Sequence, residues 1–126
     1  METIVTEYEG NIVSFVLPTS PSKHDIESGL LTPLDALLAN GTPFSVIIDS
    51  SQVTRVSMDL GMTVARWMKS NRQRISDFLR CTSVVITNSA VHTIMKMVFT
   101  VQPPTSPLKV VSDEESAWKF IHHQEG

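Results

Sequence analysis

The sequence has few of the residues that build disulfide-rich, metal-binding or membrane-spanning proteins. Its 126 residues include one cysteine, Cys81, and no long uninterrupted apolar run. A single cysteine excludes an intramolecular disulfide framework and a cysteine-rich metal site, and it is typical of a reducing compartment. The short apolar runs predict no transmembrane segment, and the first residues, Met1-Glu2-Thr3, lack the positive charge of a signal peptide. We therefore expect a cytoplasmic protein.

The motifs of common catalytic and cofactor sites are also missing. The chain has only five glycines, and they form neither a P-loop nor a dinucleotide-binding pattern. It has no G-x-S-x-G nucleophile motif, and its four histidines do not show the spacing of zinc ligands. We expect no enzymatic activity, no cofactor and no metal site.

What the chain does have is enough apolar content for one core. Apolar residues make up 41% of the sequence and charged residues 18%, with a net charge of −3. This composition is not that of a disordered chain. A chain of this length buries about two-thirds of its surface on folding, which is enough for one core. We expect a single domain that covers residues 1–126.

The apolar periodicity predicts the element order β-β-α-β-α-β-α-β-α. The predicted strands cover residues 4–8, 12–17, 44–49, 83–87 and 108–111. The first two form a hairpin around Gly10-Asn11, and a weakly helical stretch covers residues 71–80. The predicted helix N-caps are Asp25, Ser89 and Ser112, and Pro33 should either kink its helix or restart it with Thr32 as the new cap. Strands separated by helices pair in parallel through right-handed crossovers, so we predict a small α/β domain with a mixed sheet.

Two stretches resemble the STAS superfamily, the fold of bacterial anti-sigma-factor antagonists, and the related CRAL-TRIO-like lipid-carrier fold. Residues 44–61 read FSVIIDSSQVTRVSMDLG and look like the family's strand, aspartate, short turn and start of the switch helix. Residues 98–121 look like the end of small uncharacterised bacterial STAS-like proteins, which close with an acidic-capped helix carrying Ala and Trp. The resemblance implies a STAS-like fold and a non-enzymatic regulatory or scaffold role through protein–protein contact.

The resemblance also implies a switch position, from which this sequence departs. In anti-sigma-factor antagonists a partner kinase phosphorylates a serine at the start of the switch helix. The corresponding position here is Met58 or Asp59. Ser51 or Ser57 could still accept phosphate, and Asp59 could supply a fixed negative charge at the helix N-terminus. The alternative is that Ser57 and Asp59 only cap the helix.

A second reason to single out this region is its place in the predicted sheet. Asp49 stands at the carboxyl end of a central strand, where open α/β sheets place ligands. The alternative is that Asp49 accepts backbone N–H groups in the turn. The predicted partner-binding or switch residues are Asp49, Ser50, Ser51, Ser57, Met58 and Asp59.

A basic stretch contrasts with the acidic chain as a whole. Residues 66–80 carry a net charge of +4, with Asp77 as their one acid. We expect this basic strip to meet an acidic partner, a phosphoprotein or an anionic lipid headgroup, or else to be a solvated helix face. Nucleic acid is not expected, because the whole chain is acidic. The strip consists of Arg66, Lys69, Arg72, Arg74 and Arg80.

The six methionines suggest two further hypotheses. Met62 and Met97 fall off the predicted buried stripes, so Met97 with Thr93 and Thr100 could form a weak homodimer face, or the methionines could simply fill the core. Pairing through the first strand is not expected, because Glu2, Glu7 and Glu9 charge that edge. The alternative function, implied by the CRAL-TRIO-like resemblance, is a small apolar-ligand (lipid) carrier. The predicted helix that begins at Ser89 would then line the pocket.

Overall fold

The described part of the protein begins with the predicted hairpin. The computed structural model describes residues 3–125, without the side chain of Glu125. Strand β1 (Val5–Glu9) runs antiparallel to β2 (Ile12–Val16). Gly10 adopts a φ of 60°, which the first central residue of a type II′ turn requires and which glycine adopts without strain. Glu7 and Glu9 lie exposed on β1, whereas Glu2 lies outside the described residues.

The hairpin forms one side of a five-stranded sheet in the order β1-β2-β3-β4-β5. The remaining strands are β3 (Phe44–Asp49), β4 (Leu79–Val85) and β5 (Leu108–Val111). From β2 to β5 each strand is parallel to the next one, as the interleaved helices require. The predicted mixed α/β sheet is confirmed. Strand β4 begins at Leu79 and not at the predicted residue 83, because Leu79 already pairs with Phe44. The sequence did not show this start, since the exposed Arg80 interrupts the apolar pattern.

The first helical stretch contains a widened turn where proline occurs. Helix α1 (Lys23–Ile26) continues into a π-helical turn (Glu27–Leu31) and then into α2 (Thr32–Asn40). Pro33 lacks the N–H that an α-helix would use at this position. The predicted restart capped by Thr32 is wrong, since the Thr32 hydroxyl instead donates to the Glu27 carbonyl at 2.8 Å and the backbone stays helical. Gly41 ends α2 with a left-handed φ of 71°.

Three predicted N-caps are displaced by a few residues. Ser22 caps α1, and Asp25 completes the capping box by accepting the Ser22 N–H at 2.9 Å. Asn88 rather than Ser89 caps α5 (Ser89–Val101). At the start of α6 (Glu114–Glu125) the carboxylate of Asp113, rather than the hydroxyl of Ser112, accepts a backbone N–H, that of Ser116 at 2.7 Å. In each case another polar residue, one to three positions away, accepts the free N–H at the start of the helix.

Helices cover both faces of the sheet and so create two cores. Helices α3 (Met58–Ser70) and α4 (Arg72–Phe78) lie with α1, α2 and α5 over one face. That face presents Val13, Phe15, Val46 and Val84, which are at most 2% exposed. The other face packs against α6 through a second cluster. Its members are Ile12, Ile47, Cys81, Val85, Val111, Ala117 and Ile121.

Candidate functional site at the carboxyl edge of the sheet

The parallel strands bring four helix N-termini to one edge of the sheet. Because β2, β3, β4 and β5 run in the same direction, their carboxyl ends share an edge, and each leads into a helix. The residues that cap those helices are Ser22, Ser57, Asn88 and Asp113. The switch residues expected from the sequence lie at this edge, from the last residue of β3 through the following loop to the first turn of α3.

Two of the six expected switch residues lie inside the fold. Asp49 is 7% exposed, and its carboxylate accepts the backbone N–H of Ser51 at 2.9 Å. Ser50 is 2% exposed and donates both its hydroxyl and its N–H to the carbonyl of Val85. The Ser50 hydrogen bonds join the ends of β3 and β4, and the Asp49 hydrogen bond closes the turn that follows β3. Both residues present little surface to a partner. The structure thus shows Asp49 accepting a backbone N–H in the turn, which was the alternative to a ligand-binding role. Asp49 lies two and four residues from Ile47 and Ser45, so strand alternation places it on their side of β3, which faces α6.

The other four expected residues are exposed, and we call them the α3 entrance: Ser51, Ser57, Met58 and Asp59. The Ser57 hydroxyl caps α3 by accepting the Leu60 N–H at 3.3 Å. Met58 is 54% exposed, which places it among the most exposed large apolar side chains described. Asp59 is in the first turn of α3, where the helix dipole favours a negative charge by about 0.3–1 kcal/mol. The capping expectation for Ser57 is thus confirmed, and it leaves Met58 facing solvent.

The loop that carries the α3 entrance is held from several sides. Val53 is 2% exposed, and its carbonyl accepts a hydrogen bond from the Asn88 side chain. The N–H groups of Thr54 and Arg55 donate to the Thr19 carbonyl at 2.8 and 3.1 Å. The Ser51 carbonyl accepts from the Thr87 hydroxyl at 3.3 Å. The entrance is therefore presented on a tethered loop, which lowers the conformational entropy that a partner would have to remove on binding.

The basic strip lies at the opposite end of α3. Arg66 and Lys69 are on the last turns of α3, Arg72 and Arg74 are on α4, and Arg80 is on β4, all exposed. At 1.5 Å per residue, α3 is about 20 Å long, so the strip and the α3 entrance are separate surfaces. Arg66, Lys69 and Arg72 form no ion pair with any residue between 3 and 125. Asp77, the acid within the strip, accepts a hydrogen bond from the Gln73 side chain at 3.0 Å.

The methionine face expected for a homodimer is mostly occupied within the chain. Helices α3 and α5 pack together at Gly61, where an added Cβ would lie 2.8 Å from the Met97 methyl carbon. Met97 and Met62 are both half-buried, and Thr93 and Thr100 donate their hydroxyls to carbonyls of their own helix. The expectation that Met97 faces water is wrong, because Gly61 leaves room for it against α3. The argument for a dimer through this face loses its main support.

A cavity lies between the sheet and the helices on the larger core face. Its volume is about 190 Å³, and its lining combines α2, α3, α4 and α5 with β3 and β4. Pockets for drug-sized ligands measure roughly 300–1,000 Å³. The cavity is below that range, so the structure does not support the lipid carrier that the sequence left open.

Sequence reasoning missed Thr82, which lines this cavity. The predicted strand started at residue 83, although Thr82 shares its side of β4 with Val84. Counting back by two from Val84 would have placed its hydroxyl on the larger core face.

The described residues show neither a metal cluster nor a spanning helix. Between residues 3 and 125, no group of three or more His, Cys, Asp and Glu side chains is placed to hold a metal ion. None of the helices in that range has the length and apolar character needed to cross a membrane.

Comparison with known proteins identifies the fold. No protein-family model matches the sequence, and no curated protein matches it significantly. The structure is similar to an uncharacterised protein of the DUF3478 family with a SpoIIAA-like fold from Shewanella loihica PV-4, with a TM-score of 0.62. The likeness covers 94% of this chain and 91% of that one, at 15% sequence identity. The STAS-like fold expected from the sequence is therefore confirmed, and at this identity the likeness shows the fold alone.

Proposed function

We propose that this protein is a non-enzymatic interaction domain that binds a partner protein through the α3 entrance. The observation that carries the proposal is the exposure of Met58, an apolar residue that begins α3. The loop that leads into α3 is held in place by the hydrogen bond from Asn88 to Val53. Methionine is flexible and polarisable, which suits it to adaptable protein contacts. Asp59 beside it adds a charge that a partner can pair with.

Phosphorylation is a further part of the proposal. Ser51 and Ser57 are exposed, so both hydroxyls are within reach of a kinase. A phosphate on Ser57 would add negative charge at the N-terminus of α3, which the helix dipole favours. It would also replace the hydroxyl that now accepts the Leu60 N–H. Such a change would alter the partner surface at its centre.

The basic strip supplies a second contact, for an acidic surface of the partner. Its cations Arg66, Lys69 and Arg72 form no ion pair with the described residues, so they do not lose an internal ion pair when a partner binds. Exposed charges act mainly on the rate of association and are screened by salt. We expect Arg66→Glu combined with Arg72→Glu to slow association at low ionic strength and to have little effect at high salt. An equal effect at both salt concentrations would count against this role.

The decisive experiment compares two matched double variants in affinity capture of a partner. Met58→Arg with Asp59→Lys changes the α3 entrance, and Tyr8→Arg with Glu9→Lys makes the same change at β1, where Tyr8 is 62% exposed. For a partner that the wild-type protein captures, we expect the first variant to recover at least tenfold less of it. The second variant should recover as much as wild type does. Circular dichroism establishes that both variants are folded. Equal recovery by wild type and the folded Met58 variant would exclude the α3 entrance as the binding surface.

A further inference from the structure

We infer that the cavity of the larger core is a binding site for a small phenol-like molecule, with the Thr82 hydroxyl as its hydrogen-bonding partner. The inference does not depend on the proposed protein contact, because it concerns the interior of the fold and not the α3 entrance.

The size of the cavity sets the size of the ligand. Protein interiors are close-packed, and a void much larger than a water molecule is unusual. A dry apolar cavity of roughly 150 Å³ is known to bind benzene. The volume of about 190 Å³ here therefore fits one aromatic ring with a few further atoms. It does not fit an acyl lipid.

The lining sets the chemistry of most of the ligand. Aliphatic, sulfur-containing and aromatic side chains surround the cavity, and an apolar ring can replace the contacts that the void lacks. Representative lining residues are Val46, Met68, Ile75, Val84, Met95 and Val98. Exposed and half-exposed side chains also line it, among them Phe99 and Pro104, so the cavity reaches the surface near the loop that follows α5.

Thr82 sets the position of one polar group. It lies on β4, is 6% exposed and lines the cavity. Its backbone N–H donates to the Pro107 carbonyl at 2.9 Å, but its hydroxyl forms no hydrogen bond with any residue between 3 and 125. By contrast, the hydroxyl of Ser50, which also lines the cavity, already donates to the Val85 carbonyl. Between residues 3 and 125 no fully enclosed side-chain oxygen or nitrogen lacks a hydrogen-bond partner, so the unbonded Thr82 hydroxyl is an accessible atom of the cavity lining and is open to a ligand hydroxyl.

The test compares phenol with toluene, which have the same shape and number of non-hydrogen atoms. Binding is followed by methyl NMR titration, which reports shifts of the lining methyl groups. The variants are Thr82→Val, which replaces the hydroxyl with a methyl group of similar size, Thr82→Ser, which keeps the hydroxyl, and Thr93→Val as a control outside the cavity lining. We expect wild type, Thr82→Ser and Thr93→Val to bind phenol. Thr82→Val should bind phenol about tenfold more weakly and toluene as well as wild type does.

Three results would overturn the inference. Wild type could show no shifts of lining methyl groups at millimolar phenol and toluene, which would mean that the cavity is not a site. Thr82→Val could bind phenol as tightly as wild type, which would remove Thr82 from the site. Wild type could show shifts of the lining methyl groups with toluene but none with phenol, which would mean that the Thr82 hydroxyl does not accept the polar group of the ligand. The last comparison needs no variant, so it decides the matter even if Thr82→Val fails to fold.

Discussion

Replacing Gly61 with alanine tests how closely α3 and α5 approach each other. The added Cβ would lie 2.8 Å from Ile94 Cγ2, 2.8 Å from the Met97 methyl carbon and 3.3 Å from Val98 Cγ2. The Met97 methyl is the end of a flexible chain and can move away. Ile94 Cγ2 is attached to a β-branched carbon whose rotamer is restricted in a helix, so it moves only with the α5 backbone. Gly61→Ala should therefore force the two helices apart.

The expected magnitude is the difference between two opposing effects. Alanine favours the helical state over glycine by about 1 kcal/mol, which stabilises the variant. Overpacking a close contact costs typically ~1–3 kcal/mol. Because one of the two closest contacts cannot relax easily, the second effect should exceed the first. We expect Gly61→Ala to lower the free energy of unfolding by about 1 kcal/mol, which corresponds to a decrease of roughly 4 °C in Tm.

Urea unfolding followed by circular dichroism measures this difference, and double variants identify its origin. If Ile94 causes the strain, then Ile94→Ala should cancel most of the effect of Gly61→Ala, whereas Met97→Ala should cancel little of it. Stabilisation of Gly61→Ala by about 1 kcal/mol, as for a glycine on a free helix surface, would refute the close approach of α3 and α5.

Three further predictions concern a contact between helices, the free energy of unfolding at acidic pH and the oligomeric state. The indole N–H of Trp67 donates to the Asp35 carboxylate at 2.8 Å, so Asp35→Ala should lower the free energy of unfolding by about 1 kcal/mol in urea titrations and Asp35→Asn by less. Hydrogen bonds from the Ser116 N–H and hydroxyl lower the pKa of Asp113 from 3.8, so its contribution to stability is present above pH 3.8 and is lost as the pH falls through the lowered pKa. Urea unfolding at pH 6 and pH 2.5 should therefore show a smaller difference between wild type and Asp113→Ala at pH 2.5, and a constant difference would contradict this. Since Met97 packs inside the chain, sedimentation at micromolar concentration should show mainly monomer, and a tight dimer would mean that another face is used.

The sheet could be predicted from the sequence because short-range signals agree there. Alternating or fully apolar runs gave the strands, and Gly10 with Asn11 gave the hairpin turn. The helices between later strands then left parallel pairing as the consistent topology. The N-caps were less predictable, since Asn88 and Ser89 are both good caps and the backbone entering the helix decides between them. That entry is set by the tether from Asn88 to Val53, which is a tertiary contact.

The candidate site could be predicted only in part, for a similar reason. The sequence places Asp49, Ser50 and Ser51 side by side, but Asp49 and Ser50 are buried and Ser51 is exposed. The difference arises because Ser50 hydrogen-bonds to the end of the neighbouring strand, which is far away in the sequence. The exposure of Met58 was predictable, since it starts a helix whose apolar stripe begins at Leu60.

The cavity is the feature that the sequence could not have shown, because a cavity is a difference between two volumes. One is the volume of the side chains, which the sequence fixes. The other is the space between the sheet and the helices, which depends on helix–helix distances such as that at Gly61. An apolar pattern predicts which residues face the core. The pattern is the same whether the core is filled or contains a cavity of about 190 Å³. Unlike the cavity volume, the side of β4 on which Thr82 lies can be predicted, since it follows from the alternation of side chains along the strand. A polar residue at an inward position of a buried strand, with no partner nearby in the sequence, is therefore the one signal of this site that a sequence can carry.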